Sequence, residues 1–336
     1  MKKRWNRWIL AGALILLLIV PAGAQNPETV GVGGMPFGVR FTAEGVVIVG
    51  FSEVVTEGGI VNPAKDAGLS PGDVIVAVNG EEIASAEEMT RRIEEADGPL
   101  MLTYLRNGER GEVRLNPAES AKDGRRRAGL WVRDTMAGIG TVTYVLPETG
   151  EFAGLGHGIC DPESGALVTM EESAVTDVLI TGVERGAPGV PGELKGAFTG
   201  SSTGKLTSNT ACGVFGIFEK LPQSDTIEVG SREDVHPGRA SILCTVDGDG
   251  VREYEICITE IDRESRDNRS FSVAVTDREL LEKTGGIVQG MSGSPVIQDG
   301  RLVGAVTHVL VGDPAEGYGI FIENMFDAGG EASGGR

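Results

Sequence analysis

The sequence predicts a mainly β protein made of two modules in series, and three observations predict it. Glycine is abundant, 51 of 336 residues, which favours loops and sheet over helical bundles. Apolar runs are short and bounded by turn residues, as in Gly45-Val46-Val47-Ile48-Val49-Gly50-Phe51 and Leu100-Met101-Leu102-Thr103-Tyr104-Leu105-Arg106. Finally, Pro295-Val296-Ile297-Gln298 and Arg301-Leu302-Val303-Gly304-Ala305-Val306 are joined by Asp299-Gly300, whose tolerance of positive φ suits a tight type I′ hairpin. The length suggests roughly two domains.

Residues 1–24 form a targeting segment. Lys2, Lys3, Arg4 and Arg7 precede an apolar stretch from Trp8 to Val20, and Pro21-Ala22-Gly23-Ala24 offers a small-residue cleavage site before Gln25. The segment is expected to act as a signal peptide or, left uncut, as a membrane anchor with Trp5 and Trp8 at the interface. Either way the body is exported. The whole chain's formal net charge of −19 repels a phosphate backbone, so nonspecific nucleic-acid binding is not expected. Cys160, Cys212, Cys244 and Cys257 show no CxxC or Cys/His ligand spacing, so a zinc site is not expected. Export permits disulfides without requiring them, and the pairing stays open.

Residues 30–116 form the first module. After the strand at 45–51, Pro63-Ala64-Lys65-Asp66-Ala67 reads as a short helix stopped by Gly68. Ser85 and Glu88 form a capping box for a second helix, with Met89 and Ile93 on one face. Residues 117–127 are a polar linker ending in Arg125-Arg126-Arg127. Residues 128–327 return to β patterning, and 328–336 are a Gly/Ala/Ser-rich tail expected to be flexible.

Chemistry concentrates in the second module. In Gly290-Met291-Ser292-Gly293-Ser294-Pro295 two glycines bracket Ser292, so the backbone can turn sharply beside a substrate carbonyl. A serine presented in front of a rigid hairpin suits a nucleophile, with the N–H groups of Gly290 and Ser292 as the oxyanion hole. Of the three histidines, His157 lies between Gly156 and Gly158 and is the candidate base. His308 is its rival, and His236 beside Pro237-Gly238 looks like a turn residue. The orienting acid is undecided by spacing: Asp277, Asp161 and Asp313 compete, and Asp277 could equally cap the helix that follows it. The P-loop lookalike Gly200-Ser201-Ser202-Thr203-Gly204-Lys205-Leu206 fails, because its glycines are too close and Leu206 replaces the Ser/Thr.

Two resemblances add to this reading. Ala67-Gly68-Leu69, Gly72-Asp73-Val74-Ile75 and Val78-Asn79-Gly80 make the first module similar to a PDZ domain of the bacterial protease type. That implies binding of an extended strand or protein C-terminus, with the peptide loop at Gly34, Phe37, Gly38 and Val39. Gly156-His157-Gly158-Ile159, Thr276-Asp277, residues 284–295 and Gly304-Ala305-Val306-Thr307-His308 resemble the SpoIVB peptidase family. The resemblance implies a mainly β chain, an N-terminal PDZ domain followed by a trypsin-like β-barrel serine peptidase domain. It implies a triad of Ser292, His157 and Asp277, with no metal or organic cofactor. It further implies an exported enzyme of the developing spore's intermembrane space that cuts itself and then a membrane-bound regulator of an intramembrane protease, activating a late sigma factor. The competing class is a non-catalytic PDZ scaffold that binds peptides on the export side.

Overall fold

The computed structural model describes residues 26–334 apart from 84, 107, 161–164, 166 and 169–172, so the targeting segment lies outside the described residues. The chain opens with β1 (Thr29–Val32) and the long strand β2 (Pro36–Phe51). A hairpin of β3 (Val54–Thr56) and β4 (Gly59–Val61) follows, then α1 (Pro63–Asp66), β5 (Val74–Val78) and β6 (Glu81–Glu82). Helix α2 (Ala86–Glu94), β7 (Leu100–Arg106) and β8 (Glu109–Leu115) complete the small module. The helices begin where side chains supply the missing acceptors: Asn62 accepts from Lys65 N–H, and Ser85 from Glu88 N–H. Met89 and Ile93 of α2 are buried four residues apart, against Val46, Ile48, Ile75, Leu102 and Leu115.

The expected linker is ordered as a small ribbon, β9 (Ala118–Glu119) with β10 (Arg126–Arg127), and it delivers the chain to β11 (Leu130–Val145). β11 runs antiparallel to β2 from Leu130 opposite Phe51 to Thr141 opposite Pro36. The two ends of this ribbon serve different bodies. Val46 and Val47 of β2 pair with β5 in the small module, whereas residues 37–40 pair with a strand of the large one. The small module is thus an insertion at the tip of a two-stranded ribbon, and residues 29–40 belong to the large module.

That placement moves the expected peptide loop. Gly34 N–H donates to Val142 O, and Gly38 lies opposite both Ile139 and Thr176. Phe37 and Val39 are buried in a barrel core with Val142, Phe152 and Val214. Gly34, Phe37, Gly38 and Val39 are therefore barrel residues, not a peptide nest. The sequence pattern did not reveal this because β2 is one strand shared by two sheets.

The large module is a pair of closed barrels. In the first, β2 and β11 join β12 (Glu151–Gly154), β13 (Ala174–Glu184), β14 (Glu193–Thr210) and β15 (Gly213–Phe218) in the ring β2–β11–β12–β15–β14–β13. β16 (Thr226–Val229) pairs with β1 and crosses to the second barrel. There β17 (Gly238–Cys244), β18 (Arg252–Ile261), β19 (Phe271–Val275), β20 (Pro295–Gln298), β21 (Arg301–Leu310) and β22 (Asp313–Phe321) close as β17–β18–β19–β22–β21–β20. Asp299 (φ 51°) and Gly300 (φ 77°) make the expected β20–β21 turn. Helix α3 (Arg278–Thr284) sits between β19 and β20. Helix α4 (Ile322–Gly334) buries Ile322 and Met325 with Tyr144, Leu302 and Ile320, and it carries the residues expected as a flexible tail on to Gly334.

The insertion makes a prediction about where the chain can be cut. Thr42 and Thr135 are directly opposite in the ribbon, so replacing residues 43–134 with Asn-Gly should leave a hairpin and a folded double barrel. Starting the chain at Pro117 removes β1 and β2 from the first barrel and should prevent folding. Near-UV circular dichroism and limited proteolysis of the two shortened chains check this, and a well-folded chain beginning at Pro117 would refute the insertion.

Candidate active site

The Ser292 loop is built by backbone hydrogen bonds from both barrels. Helix α3 ends at Gly285 in the left-handed conformation (φ 78°), and a Cβ on Gly286 would lie 2.0 Å from Pro314 O. Beyond it, Ile287 N–H donates to Pro314 O, Gln289 N–H to Gly192 O and Met291 N–H to Val288 O. Gly293 N–H donates to Val306 O and Ser294 N–H to Met291 O. The first barrel grips the same loop through β11: Thr141 N–H donates to Ser292 O at 2.9 Å, Thr141 Oγ1 to Gly290 O and Thr143 Oγ1 to Gly293 O, each at 2.8 Å. Only glycine fits at position 293 (φ +94°), since a Cβ would stand 2.0 Å from Thr141 O.

Three N–H groups in this loop donate to nothing among the described residues, those of Val288, Gly290 and Ser292, and the last two flank the Ser292 side chain. Elsewhere in the loop the N–H groups of Gln289, Met291, Gly293 and Ser294 are all used. A folded loop rarely leaves such donors unspent. The sequence reading expects Gly290 and Ser292 as oxyanion donors, and an oxyanion hole needs two free N–H groups beside the nucleophile.

Ser292 and His157 line one cavity of about 560 Å³ between the barrels, together with His308, Leu155, Ile139 and Val288. The Ser292 hydroxyl donates to Thr307 O at 2.8 Å, so its proton is not on the imidazole. Ser294 is fully buried and donates to Met291 O at 2.6 Å, a structural role. His157 follows β12 after two left-handed residues, Leu155 (φ 65°) and Gly156 (φ 66°), which turn the chain into the cavity. Its Nδ1 lies 2.9 Å from Gly158 O. A carbonyl can only accept, so Nδ1 carries the hydrogen, and in the neutral ring Nε2 keeps its lone pair. Burial lowers the His157 pKa below its ordinary 6.5, opposed by the Gly158 carbonyl.

The second histidine is closer than its rank as a rival implied. The His157 and His308 rings lie 5.0 Å apart, tilted by 37°. Burial first, then the neighbouring His157, push the His308 pKa down to about 4. His308 Nδ1 is buried with no hydrogen-bond partner among the described residues. His236 is elsewhere, on the surface, 2.9 Å from Asp299, whose hydrogen bond raises its pKa.

Two of the three candidate carboxylates, Asp277 and Asp313, do not join this pair. Asp277 Oδ1 accepts from Leu280 N–H at 2.9 Å as the N-cap of α3, and Oδ2 accepts from Glu255 N–H at 3.3 Å. It does not line the cavity. Asp313 is exposed and accepts from Ala315 N–H. Asp161 lies outside the described residues. Sequence reasoning missed Thr141, Thr143 and the Thr307 carbonyl, because a hydroxyl or carbonyl that steadies a loop 150 residues away leaves no local signature. Cys160 is exposed in the cavity wall, and no disulfide joins the four cysteines.

Comparisons with known proteins bear on this geometry. Residues 124–326 match the family model described as SpoIVB peptidase S55, and residues 37–116 match a PDZ domain. The zinc metalloprotease RasP of Shouchella clausii is 48% identical over 59 residues, 17% of this chain and 14% of that protein. A putative zinc metalloprotease of Neisseria meningitidis, NMA0084, is 30% identical over 112 residues, 32% of this chain and 25% of that one. The chain thus spans a quarter or less of the length of these curated relatives. Among solved structures, the PDZ domain of the SdrC-like protein from Listeria monocytogenes covers 28% of this chain and 92% of its own, at 21% identity and a TM-score of 0.23. The HtrA-type protease AlgW with a decapeptide covers 64% of this chain and 56% of its own, at 10% identity and a TM-score of 0.37. The family match spans well over half of the sequence and takes in Ser292 and His157. With its PDZ module carried on the β2–β11 ribbon, the chain belongs to the SpoIVB peptidase S55 family.

Proposed function

We propose that the chain is an exported serine endopeptidase in which Ser292 attacks the scissile carbonyl and His157 is the general base. One observation carries this reading: the unspent N–H groups of Gly290 and Ser292 beside a serine hydroxyl, in a cavity shared with a histidine whose Nδ1 faces the Gly158 carbonyl. Substrate entry moves the Ser292 hydroxyl from Thr307 O to His157 Nε2. His157 takes the proton during attack and returns it to the leaving amine, while the two N–H groups hold the oxyanion. The Gly158 carbonyl fills the orienting role that a carboxylate has in a triad. Asp277, the expected acid, supports the nucleophile loop instead by capping α3.

Family membership and the charge pattern of residues 1–24 support the wider assignment. On this reading the enzyme works outside the cytoplasmic membrane, in the intermembrane space of a developing spore. It processes itself and cuts a membrane-bound regulator in sporulation signalling, so that a late sigma factor becomes active.

Ser292→Ala should lower kcat on the order of 10⁶-fold and abolish labelling by a fluorophosphonate, whereas the non-catalytic scaffold predicts no labelling in either protein. Peptide hydrolysis and intact-mass measurement of the labelled chain decide it.

Asp277→Asn keeps a good N-cap acceptor. The capping role predicts a melting temperature close to the parent's and kcat/KM within about tenfold. A loss near 10⁴-fold at unchanged melting temperature would return the carboxylate to the imidazole.

The pH profile follows from burial. A lowered His157 pKa keeps Nε2 basic below pH 6.5, so the acid limb of kcat/KM should have its midpoint below that value. The unfolded His308 binds a proton near pH 6.5 and the folded one only near 4, so stability should decline as pH falls through that window. A kinetic midpoint at or above 6.5 would show that the base is not a buried imidazole.

A further inference from the structure

A second site lies at the other end of β11. Met89, Thr90, Ile93 and Glu94 of α2 face residues 126–130 and Val132 across a hollow of about 110 Å³. At its mouth the N–H groups of Ala128 and Gly129 donate to nothing among the described residues, although both residues are buried. Gly129 is left-handed (φ +75°) and its carbonyl is held by Ser52 N–H and Asn62 Nδ2, which fixes the turn. Consecutive unspent amides at a left-handed residue form an anion nest. The side chains add charge. Arg125 is paired with Glu94 and Arg127 with Asp123, but Arg126, half-buried in the hollow, makes no ion pair among the described residues.

The strand that leaves this nest is open along one edge. From Leu130 to Gly140, β11 pairs with β2 alone; its pairings with β12 and β1 begin only at Val142. At the far end Ala137, Gly138, Ile139 and Gly140 line the catalytic cavity, and the next residue, Thr141, is bonded to Ser292 O.

We propose that one extended substrate docks along this edge, with its free C-terminal carboxylate in the Arg126–Ala128–Gly129 nest and its scissile bond at Ser292. The proposal rests on the peptidase reading above. The carboxylate sits at the N-terminal end of β11, so the substrate runs antiparallel to the strand, the usual sense of strand addition to such a groove. Ten residue steps separate Leu130 from Gly140, roughly 34 Å of strand at ~3.4 Å per residue. The enzyme therefore measures its cut from the C-terminus and removes a tail of about ten to twelve residues.

The test uses the full chain and peptides built around a cut first mapped in unfolded casein. Each peptide keeps that core and carries five, eleven or twenty residues after the scissile bond, as the free acid or the amide. Expected is a kcat/KM maximum for the eleven-residue acid, at least tenfold above its amide and above the five-residue acid. Arg126→Gln should bring acid and amide to equality. A flat length profile, or equal rates for acid and amide in the parent, overturns the proposal. Fluorophosphonate labelling of the same preparation separates the two failures: a labelled chain with a flat profile overturns the shared track alone, and an unlabelled chain overturns the peptidase reading with it.

Discussion

The contact on which the rest depends is the seat of the Ser292 loop on Thr141. A backbone amide and two threonine hydroxyls of β11 take three carbonyls of the loop, those of Gly290, Ser292 and Gly293. The amides of Gly290 and Ser292, beside these carbonyls, have no acceptor among the described residues. Each hydrogen bond is worth about 1 kcal/mol net, but the geometry matters more than the sum. The loop belongs to the second barrel and the clamp to the first, so the oxyanion site exists only when both barrels are folded and docked. Gly293 is the price of that fit, because any side chain there would enter the peptide plane of Thr141.

The same docking sets the electrostatics of the cavity. His157 arrives from the first barrel and His308 from the second, and their rings meet at 5.0 Å. Two imidazoles at that distance in a partly dry cleft disfavour each other's protonation. His308 is pushed down to about 4, by burial first and then by His157, so it is neutral near pH 7. Under the proposed mechanism, a neutral neighbour lets His157 accept a proton without a resident positive charge beside it. The bond from Nδ1 to Gly158 O fixes the tautomer from within the same turn. It does so without burying a carboxylate, which would require its own desolvation to be offset.

Much of this was legible in the sequence, and what was not has a common cause. The hairpin turn at Asp299-Gly300, the caps at Asn62 and Ser85 and the double-glycine frame around Ser292 are local, and each appeared where its residues said. His157 and Ser292 stood out because glycine marks close approach, and both line one cavity. The parts that escaped depend on pairing between distant segments. Residues 29–40 look like the start of the small module because they precede it, yet their partners are Thr141, Val145 and Thr176. Asp277 fits both a helix cap and a triad by spacing, and only its two backbone donors show which bonds it makes. The run Arg125-Arg126-Arg127 looked like solvated linker because nothing in it says that α2 lies alongside.

An inserted domain usually hangs on two loops and reports little to its host. Here it hangs on two strands of one ribbon, and the difference is mechanical. Loops decouple orientations, whereas a paired strand carries twist and register along its length. β11 begins in the hollow beside α2 and ends in the grip on Ser292. Ordering its outer edge by an added strand stiffens one element that both ends share, so occupancy near Gly129 and the seating of the nucleophile loop draw on the same pairing energy. Coupling between two sites needs an element that both of them bias. A strand of 16 residues shared by two sheets supplies that element, with register shifts after Trp131 and Arg133 on the way.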